Sequence, residues 1–383
     1  MLPEGWRKLP LCDVAEIRTG IAKNERISGE HIDIPYLRVA NVQDGNIDIK
    51  EIKSIKIEKN KISRYLLQYG DVLMTEGGDF DKLGRGDVWK EQISPCVHQN
   101  HVFAVRPNQN KLNSEFLSAL ASSNYGRLYF LSCAKRSTNL ASINATQLKK
   151  FPVILPPLSE QNAIIVVLSI WDKAISTTDI LLANCRQQKK ALMQQLLTGK
   201  RRLPGFTGEW YHACLGKIAH IEKGKPLNGS SIIKGEIPVI AGGKTVSAWH
   251  NDFTHNTVIT VSASGAYAGF VSFHKYKIWA SDCSVINGIC NISLSQYLYY
   301  LLLFKQKEIY SLQTGGAQPH VYPKDLAKLT CSLPPLDEQC AIAAVLDVAD
   351  REIVLLEQKA ARLREEKKAL MQQLLTGKRR VRL

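Results

Sequence analysis

The chain has 383 residues, 45% of them hydrophobic and 22% charged, with 50 Lys and Arg against 35 Asp and Glu, a formal charge of +15 and a pI near 9.3. That balance excludes a disordered chain, allows two or three domains with ample core, and points to a polyanionic partner, nucleic acid ahead of a membrane. The longest apolar run, residues 163–168 followed by Ile170-Trp171, is far too short to span a bilayer. Met1-Leu-Pro-Glu-Gly-Trp-Arg carries no apolar signal segment, which predicts a cytoplasmic protein. Nine cysteines stand at 12, 96, 133, 185, 214, 283, 290, 331 and 340, an odd number without a C-x-x-C pair. Neither a zinc knuckle nor a disulfide framework is indicated, and buried free thiols are expected.

Residues 1–157 read as a mixed α/β domain. Stretches 34–40, 71–75 and 102–106 have the β-branched and aromatic content of strands between turns, and 113–125 reads as a helix. Its loops have an unusual composition: Glu76-Gly-Gly-Asp79, Lys82-Leu-Gly-Arg85-Gly, His98-Gln99-Asn100-His101 and Lys135-Arg136-Ser-Thr-Asn139. Amide and basic side chains on glycine-bearing loops suit base edges and phosphates, since Asn and Gln pair bidentately with adenine and Arg with guanine. Lys82, Arg85, Gln99, Asn100, Lys135, Arg136 and Asn139 are therefore candidate DNA-binding residues.

Residues 158–198 form a different kind of segment. Pro156-Pro157 blocks helix upstream, with Ser159 a plausible N-cap, and Gly199 supplies the stop before a basic cluster. Between them Ile164, Leu168, Trp171, Ile175, Thr178, Leu182, Cys185, Lys189, Leu192 and Leu196 follow a strict 4-3-4-3 spacing. A 3.5-residue repeat sustained over more than four heptads is the seam of a coiled coil. The predicted helix is about 37 residues, roughly 55 Å long.

Residues 199–335 read as a second α/β domain, with strands at 237–240, 257–261 and 269–273 and a helix at 295–304. This stretch holds 14 Lys and Arg against 7 Asp and Glu, compared with 22 against 17 in residues 1–157. Its loops supply the candidate DNA-binding residues Ser262, Ser264, Tyr267, Lys275, Lys277, Gln318, His320, Tyr322 and Lys324. If the segment before Lys324 is extended, Gln318, His320 and Tyr322 alternate onto one side. The domain starts echo each other, with Trp6, Ala15, Ile17 and Gly20 recurring as Trp210, Ala219, Ile221 and Gly224.

Residues 336–383 repeat the helix block. The fourteen letters from Lys189 to Arg202 return unchanged from Lys367 to Arg380, and Leu155-Pro-Pro-Leu and Glu160-Gln161 return as Leu333-Pro-Pro-Leu and Glu338-Gln339. Asp337 takes the N-cap place, and the seam becomes Ile342, Leu346, Ala349, Ile353, Leu356, Ala360, Leu363, Lys367, Leu370 and Leu374. Two copies with one register predict helices packed on each other. Chain order makes them antiparallel, with Thr178 opposite Ala360, Lys189 opposite Ala349 and the Lys367 stem on the Trp171 indole. The pseudo-repeat offers two equivalent docking surfaces around the helix ends, where the Glu-Gln pairs recur.

Catalytic signatures are missing. There is no H-E-x-x-H, no G-x-S-x-G and no G-x-G-x-x-G after a strand, and Gly243-Lys-Thr lacks the first glycine of a phosphate loop. His98-x-x-His101 has no further ligand at metal spacing, and no Asn-Pro-Pro-Tyr/Phe occurs.

Two variable α/β domains alternating with near-identical helices resemble the specificity (S) subunit of type I restriction–modification systems. The stretches that carry the resemblance are Leu155-Pro-Pro-Leu-x-Glu-Gln161 with its copy, Lys-Ala-Leu-Met-Gln-Gln-Leu-Leu-Thr-Gly-Lys, Ala280-Ser-Asp-Cys283 and His320-Val-Tyr322. The resemblance implies an α+β protein with two target-recognition domains joined by two antiparallel coiled-coil helices in a pseudo-twofold repeat. It implies no catalysis by this chain, double-stranded DNA read as a bipartite target, and partnership with two methyltransferase (M) subunits and with restriction (R) subunits. S-adenosylmethionine would be held by the M subunit, with no cofactor and no metal in this chain.

Overall fold

The computed structural model describes residues 2–22, 29–78, 80, 83–136 and 141–381. The chain divides into two compact units, residues 1–178 with 359–383 and residues 179–358. Each unit is one α/β domain plus a part of both long helices, so the helices are shared rather than forming a domain of their own.

In the first unit the strands Ala15–Thr19, Val102–Pro107, Val72–Thr75 and Gly86–Val88 lie in that order in an antiparallel sheet. A second sheet holds Val97–His98, His31–Leu37 and Lys53–Glu58. The strand Arg7–Pro10 pairs with Pro152–Leu155 and so ties the start of the domain to its end. The helix expected at 113–125 is two helices, Ser114–Ser122 and Asn124–Cys133. Asn113 caps the first through its side chain, and the extended Ser123 breaks the run and caps the second. Behind the sheet a core of Phe103, Phe116, Phe130 and Phe151 continues into Ile164, Leu168 and Leu374 of the long helices and into Leu375 just past the second.

The second unit repeats this plan. The order Ala219–Lys223, Cys283–Gly288, His255–Ser262 and Val271–Ala280 matches the first sheet strand for strand, and Ile237–Ile240 and Ala248–His250 extend it. Tyr211–Cys214 pairs with Thr330–Leu333, as the equivalent strands do in the first unit. The strand Val271–Ala280 is longer than its sequence suggests, so Lys275 and Lys277 lie on a strand and not on a loop. The helix Ser295–Phe304 packs Tyr297, Leu298, Tyr300 and Leu301 into a core with Met193, Leu196, Ile342 and Leu346.

The long helices run Leu158–Leu196 and Leu336–Leu374, 39 residues each. Both start directly after the double proline, so Ser159 and Asp337 lie within the first turn and do not act as N-caps. All twenty seam positions are shielded or half-shielded from solvent. Thr178 and Ala360 in the first unit are 3% and 2% exposed. The helices are antiparallel within each unit: Lys367 meets Asp172 in the first, and Lys189 meets Asp350 and Arg186 meets Glu357 in the second. The Lys367 ammonium thus reaches the Asp172 carboxylate. Lys189 likewise goes to Asp350, with the Tyr300 ring 5.4 Å away.

The repeated Glu-Gln pairs turn inward. Glu160, Gln161, Glu338 and Gln339 are all buried, so they present no docking surface. Gln161 accepts from Asn113 N and donates to Lys111 O and Pro156 O; Gln339 accepts from Leu294 N and donates to Ile292 O and Pro334 O. Each glutamine satisfies backbone groups where a domain meets its helix. Glu160 accepts from Arg380 and from the Trp6 indole, and Glu338 accepts from Arg202. Gly199 and Gly377, at φ +69° and +72°, turn the chain out of each helix against Trp210 and Trp6. The repeated letters therefore encode two copies of one latch.

The cysteines are all free, but only Cys96, Cys283 and Cys331 are buried. Cys12, Cys214, Cys290 and Cys340 are exposed, contrary to the expectation of buried thiols. No helix among the described residues is long and apolar enough to cross a membrane.

Candidate nucleic-acid interface

In the second unit, backbone hydrogen bonds lace four loops together at one end of the six-stranded sheet. Ala263 N donates to Asp282 O at 3.1 Å, Val321 N to Ala263 O at 3.0 Å and Gly265 N to Pro319 O at 3.0 Å. Thr314 and His320 exchange both backbone bonds, at 2.9 and 2.8 Å, which closes a small hairpin. The Ser262 hydroxyl donates to Gly242 O at 2.8 Å and brings in the loop at 241–245.

The side chains on this face are aromatic and basic. Val321 is buried while Tyr322 is 44% exposed, and the His320 and Tyr322 rings stack 6.0 Å apart at 16°. Both therefore share one side of the extended segment, and Gln318 is exposed on the same hairpin. Lys324 Nζ lies 5.5 Å from the Tyr322 ring, and Lys244 Nζ lies 4.8 Å from Tyr267 and 5.4 Å from Phe270. Among the described residues neither lysine has a carboxylate partner. Uncompensated cations beside flat rings suit a phosphate backbone with stackable groups.

Not all of the sequence candidates join this face. Ser262 is 3% exposed and its hydroxyl is spent on Gly242, so it braces the loops. Ser264 donates to Asp282. Lys275 pairs with Asp347 at 2.6 Å and Lys277 covers the Phe253 ring at 4.4 Å, both on the strand. Lys244 and Asp282 belong to the face and were not singled out; Asp282 sits inside the Ala-Ser-Asp-Cys motif, which was its available signal.

The first unit has the same backbone frame. Glu76 N donates to His101 O at 3.0 Å and Ile143 N to Glu76 O at 2.8 Å. Gly77–Gly78 pairs with Ala141–Ser142, which pairs in turn with Lys135–Arg136. Lys135 is exposed there. Arg85 is half-buried with no carboxylate partner among the described residues, and its Nε has no hydrogen-bond partner. Arg18, Arg38, Arg106 and Arg127, by contrast, pair with Glu16, Glu51, Asp71 and Asp44. Gln99 Oε1 accepts from Val39 N at 3.4 Å, and Asn100 Nδ2 lies 3.5 Å from His101 Nε2. Lys82 and Asn139 lie outside the described residues, and of Arg136 only the backbone pairing with Ala141 is described.

Beneath these faces His98 in the first domain and His250 and His274 in the second are buried. His98 Nδ1 lies 2.7 Å from Val102 O, and burial pushes its pKa down to about 4. His274 Nε2 lies 2.9 Å from Thr260 Oγ1, and burial again lowers its pKa to about 4. Both are core groups.

The family model described as "Type I restriction modification DNA specificity domain" matches residues 3–183 and 207–365. The chain belongs to this family. One relative, the putative type I restriction enzyme MjaX specificity subunit of Methanocaldococcus jannaschii, is 28% identical over 99% of this chain and 95% of its own. The MjaVIII specificity subunit of the same organism is 23% identical over 99% and 94%. Among solved structures, the type I restriction-modification S subunit of M. genitalium has a TM-score of 0.62 at 15% identity, covering 98% of this chain and 97% of its own. The HsdS subunit of Thermoanaerobacter tengcongensis has a TM-score of 0.54 at 19% identity, covering 98% of each chain. These likenesses support the fold: two recognition domains of one plan and two long helices.

Proposed function

We propose that this chain reads a bipartite double-stranded DNA target, one half-site per recognition domain, for a type I restriction–modification complex. The observation that carries the proposal is the repetition of one sheet frame whose laced loops end in different side chains. A common frame gives two equivalent readers, and divergent loops give two different half-sites. Lys324, Lys244 and Arg85 would meet phosphates or guanine edges, with Gln318, His320 and Tyr322 on base edges in the second half-site. The long helices, through the number of their heptads, would set the gap between the half-sites.

The chemistry belongs to partners. Methyltransferase subunits, two per chain by the internal repeat, would hold S-adenosylmethionine and methylate the bound site, and restriction subunits would join for cleavage. The site of action is the cytoplasm, where the DNA is. The deciding experiment measures DNA retention as a function of salt, for the chain alone and with its methyltransferase subunits, alongside mapping of methylated motifs in genomic DNA. A steep fall in affinity with salt and one split motif are expected. Salt-independent binding, or an undivided motif, would refute the reading.

A further inference from the structure

The two domains share one more feature, hidden because opposite strands supply it. The residue after Thr75 and the residue before Val102 are Glu76 and His101, and Thr75 pairs with Val102 across the sheet. In the second unit Ser262 pairs with Cys283, and the equivalent flanking positions carry Ala263 and Asp282. The backbone bond from Glu76 N to His101 O has its counterpart from Ala263 N to Asp282 O. At this one topological place each domain holds a single carboxylate by a single side-chain donor. His101 Nδ1 donates to Glu76 Oε2, and the Ser264 hydroxyl donates to Asp282 Oδ2. The carboxylate comes from the loop after the strand in one domain and from the residue before the neighbouring strand in the other. Among the described residues, no group donates to the second oxygen of either carboxylate. Both acids are only partly buried, with 29% of the Glu76 side chain exposed.

We propose that Glu76 and Asp282 select a base, one in each half-site, by accepting a hydrogen bond from an exocyclic amino group, cytosine N4 or adenine N6. An acid on a loop face that also carries basic side chains, Arg85 in the first unit and Lys244 and Lys324 in the second, has no use against phosphate, which it repels. Held by one oxygen and open at the other, it is an acceptor without a donor. It matches an amino group in the major groove and opposes guanine O6 and thymine O4. The neighbouring donors, His101 and Ser264, orient each carboxylate without reading.

This inference rests on the reading that the laced loops face DNA, and the test separates the two. The chain is produced with its methyltransferase subunits, and methylated positions are mapped in genomic DNA. Glu76→Gln and Asp282→Asn exchange an acceptor-only group for an amide of the same size. Each is expected to relax or switch the base at one position of one half-site, by about tenfold or more in preference, and to leave the other half-site unaltered. His101→Ala and Ser264→Ala keep the carboxylates but release their orientation, and are expected to slow methylation at that half-site without changing which base is preferred. Parental motifs in both acid variants would overturn the proposal, as would a switch by His101→Ala matching that of Glu76→Gln. Tyr322→Ala and Lys324→Ala report on the face itself. If they weaken methylation while both acid variants keep the parental motif, this inference fails alone; if they too have no effect, the DNA-facing reading fails with it.

Discussion

His98 and His274 show how a single buried group couples folding to pH. Each has a folded pKa near 4 against an ordinary value of 6.5, because burial disfavours the cation. Between those values the unfolded chain takes up protons that the native chain refuses, so stability falls as pH drops from about 6.5 towards 4. The slope is about 1.4 kcal/mol per pH unit for each histidine, and is read by urea denaturation at stepped pH. His98→Asn should remove one proton from that slope; an unchanged slope would contradict the burial argument. Glu160 responds in the same sense at lower pH. Its carboxyl is held below the usual range by hydrogen bonds from Arg380 and then Trp6, so the latch contributes above that range and is lost as acid titrates it. On the reading face, replacing Gln318 and Tyr322 by Ala should weaken binding at the second half-site by about 1–3 kcal/mol per lost specific contact. The first half-site should be unaffected. Half-site affinities measured in the methyltransferase complex check this, and Tyr322, at 44% exposed, is not simply packing beneath the loop.

At the scale of elements, the long helices are held by their ends. Ile164, Leu168, Leu374 and Leu375 belong to the first core, and Met193, Leu196, Ile342 and Leu346 to the second. The Arg380–Glu160 and Arg202–Glu338 pairs close the same ends. With the ends anchored, the middle is free to vary in length provided both seams change together. Inserting one heptad into both helices should lengthen each by about 10 Å, roughly three base pairs along DNA. Mapping methylated motifs should then find the same two half-sites further apart. An unaltered gap at full activity would dismiss the helices as the spacer. A heptad in one helix only should mismatch the seams and destabilise the complex.

At the scale of the molecule, a repeated plan calls for repeated partners. The chain should bind DNA weakly alone and become competent with two methyltransferase subunits. Mass measurement of the purified active complex gives the ratio, and a complex with one such subunit that methylates both strands would contradict it. Docking around the helix ends has to use side chains other than Glu160, Gln161, Glu338 and Gln339, which are consumed inside the fold.

The sequence by itself determined the architecture. A fourteen-letter repeat, a 4-3-4-3 seam and two double prolines are local and periodic, and local periodicity dictates helix, register and duplication. Strand segments such as Ile237–Ile240 and the helix Ser295–Phe304 were legible for the same reason. Tertiary structure alone decided what the polar letters do. Glu160-Gln161 resembles a surface motif until Arg380, some 220 positions later, closes on it. Lys275 and Lys277 look like loop residues until their strand finds its partner, because register depends on a neighbour distant in the chain. The paired acids Glu76 and Asp282 share no alignment at all. They are equivalent only through hydrogen bonds between adjacent strands, and such bonds record position in the sheet and not position in the sequence.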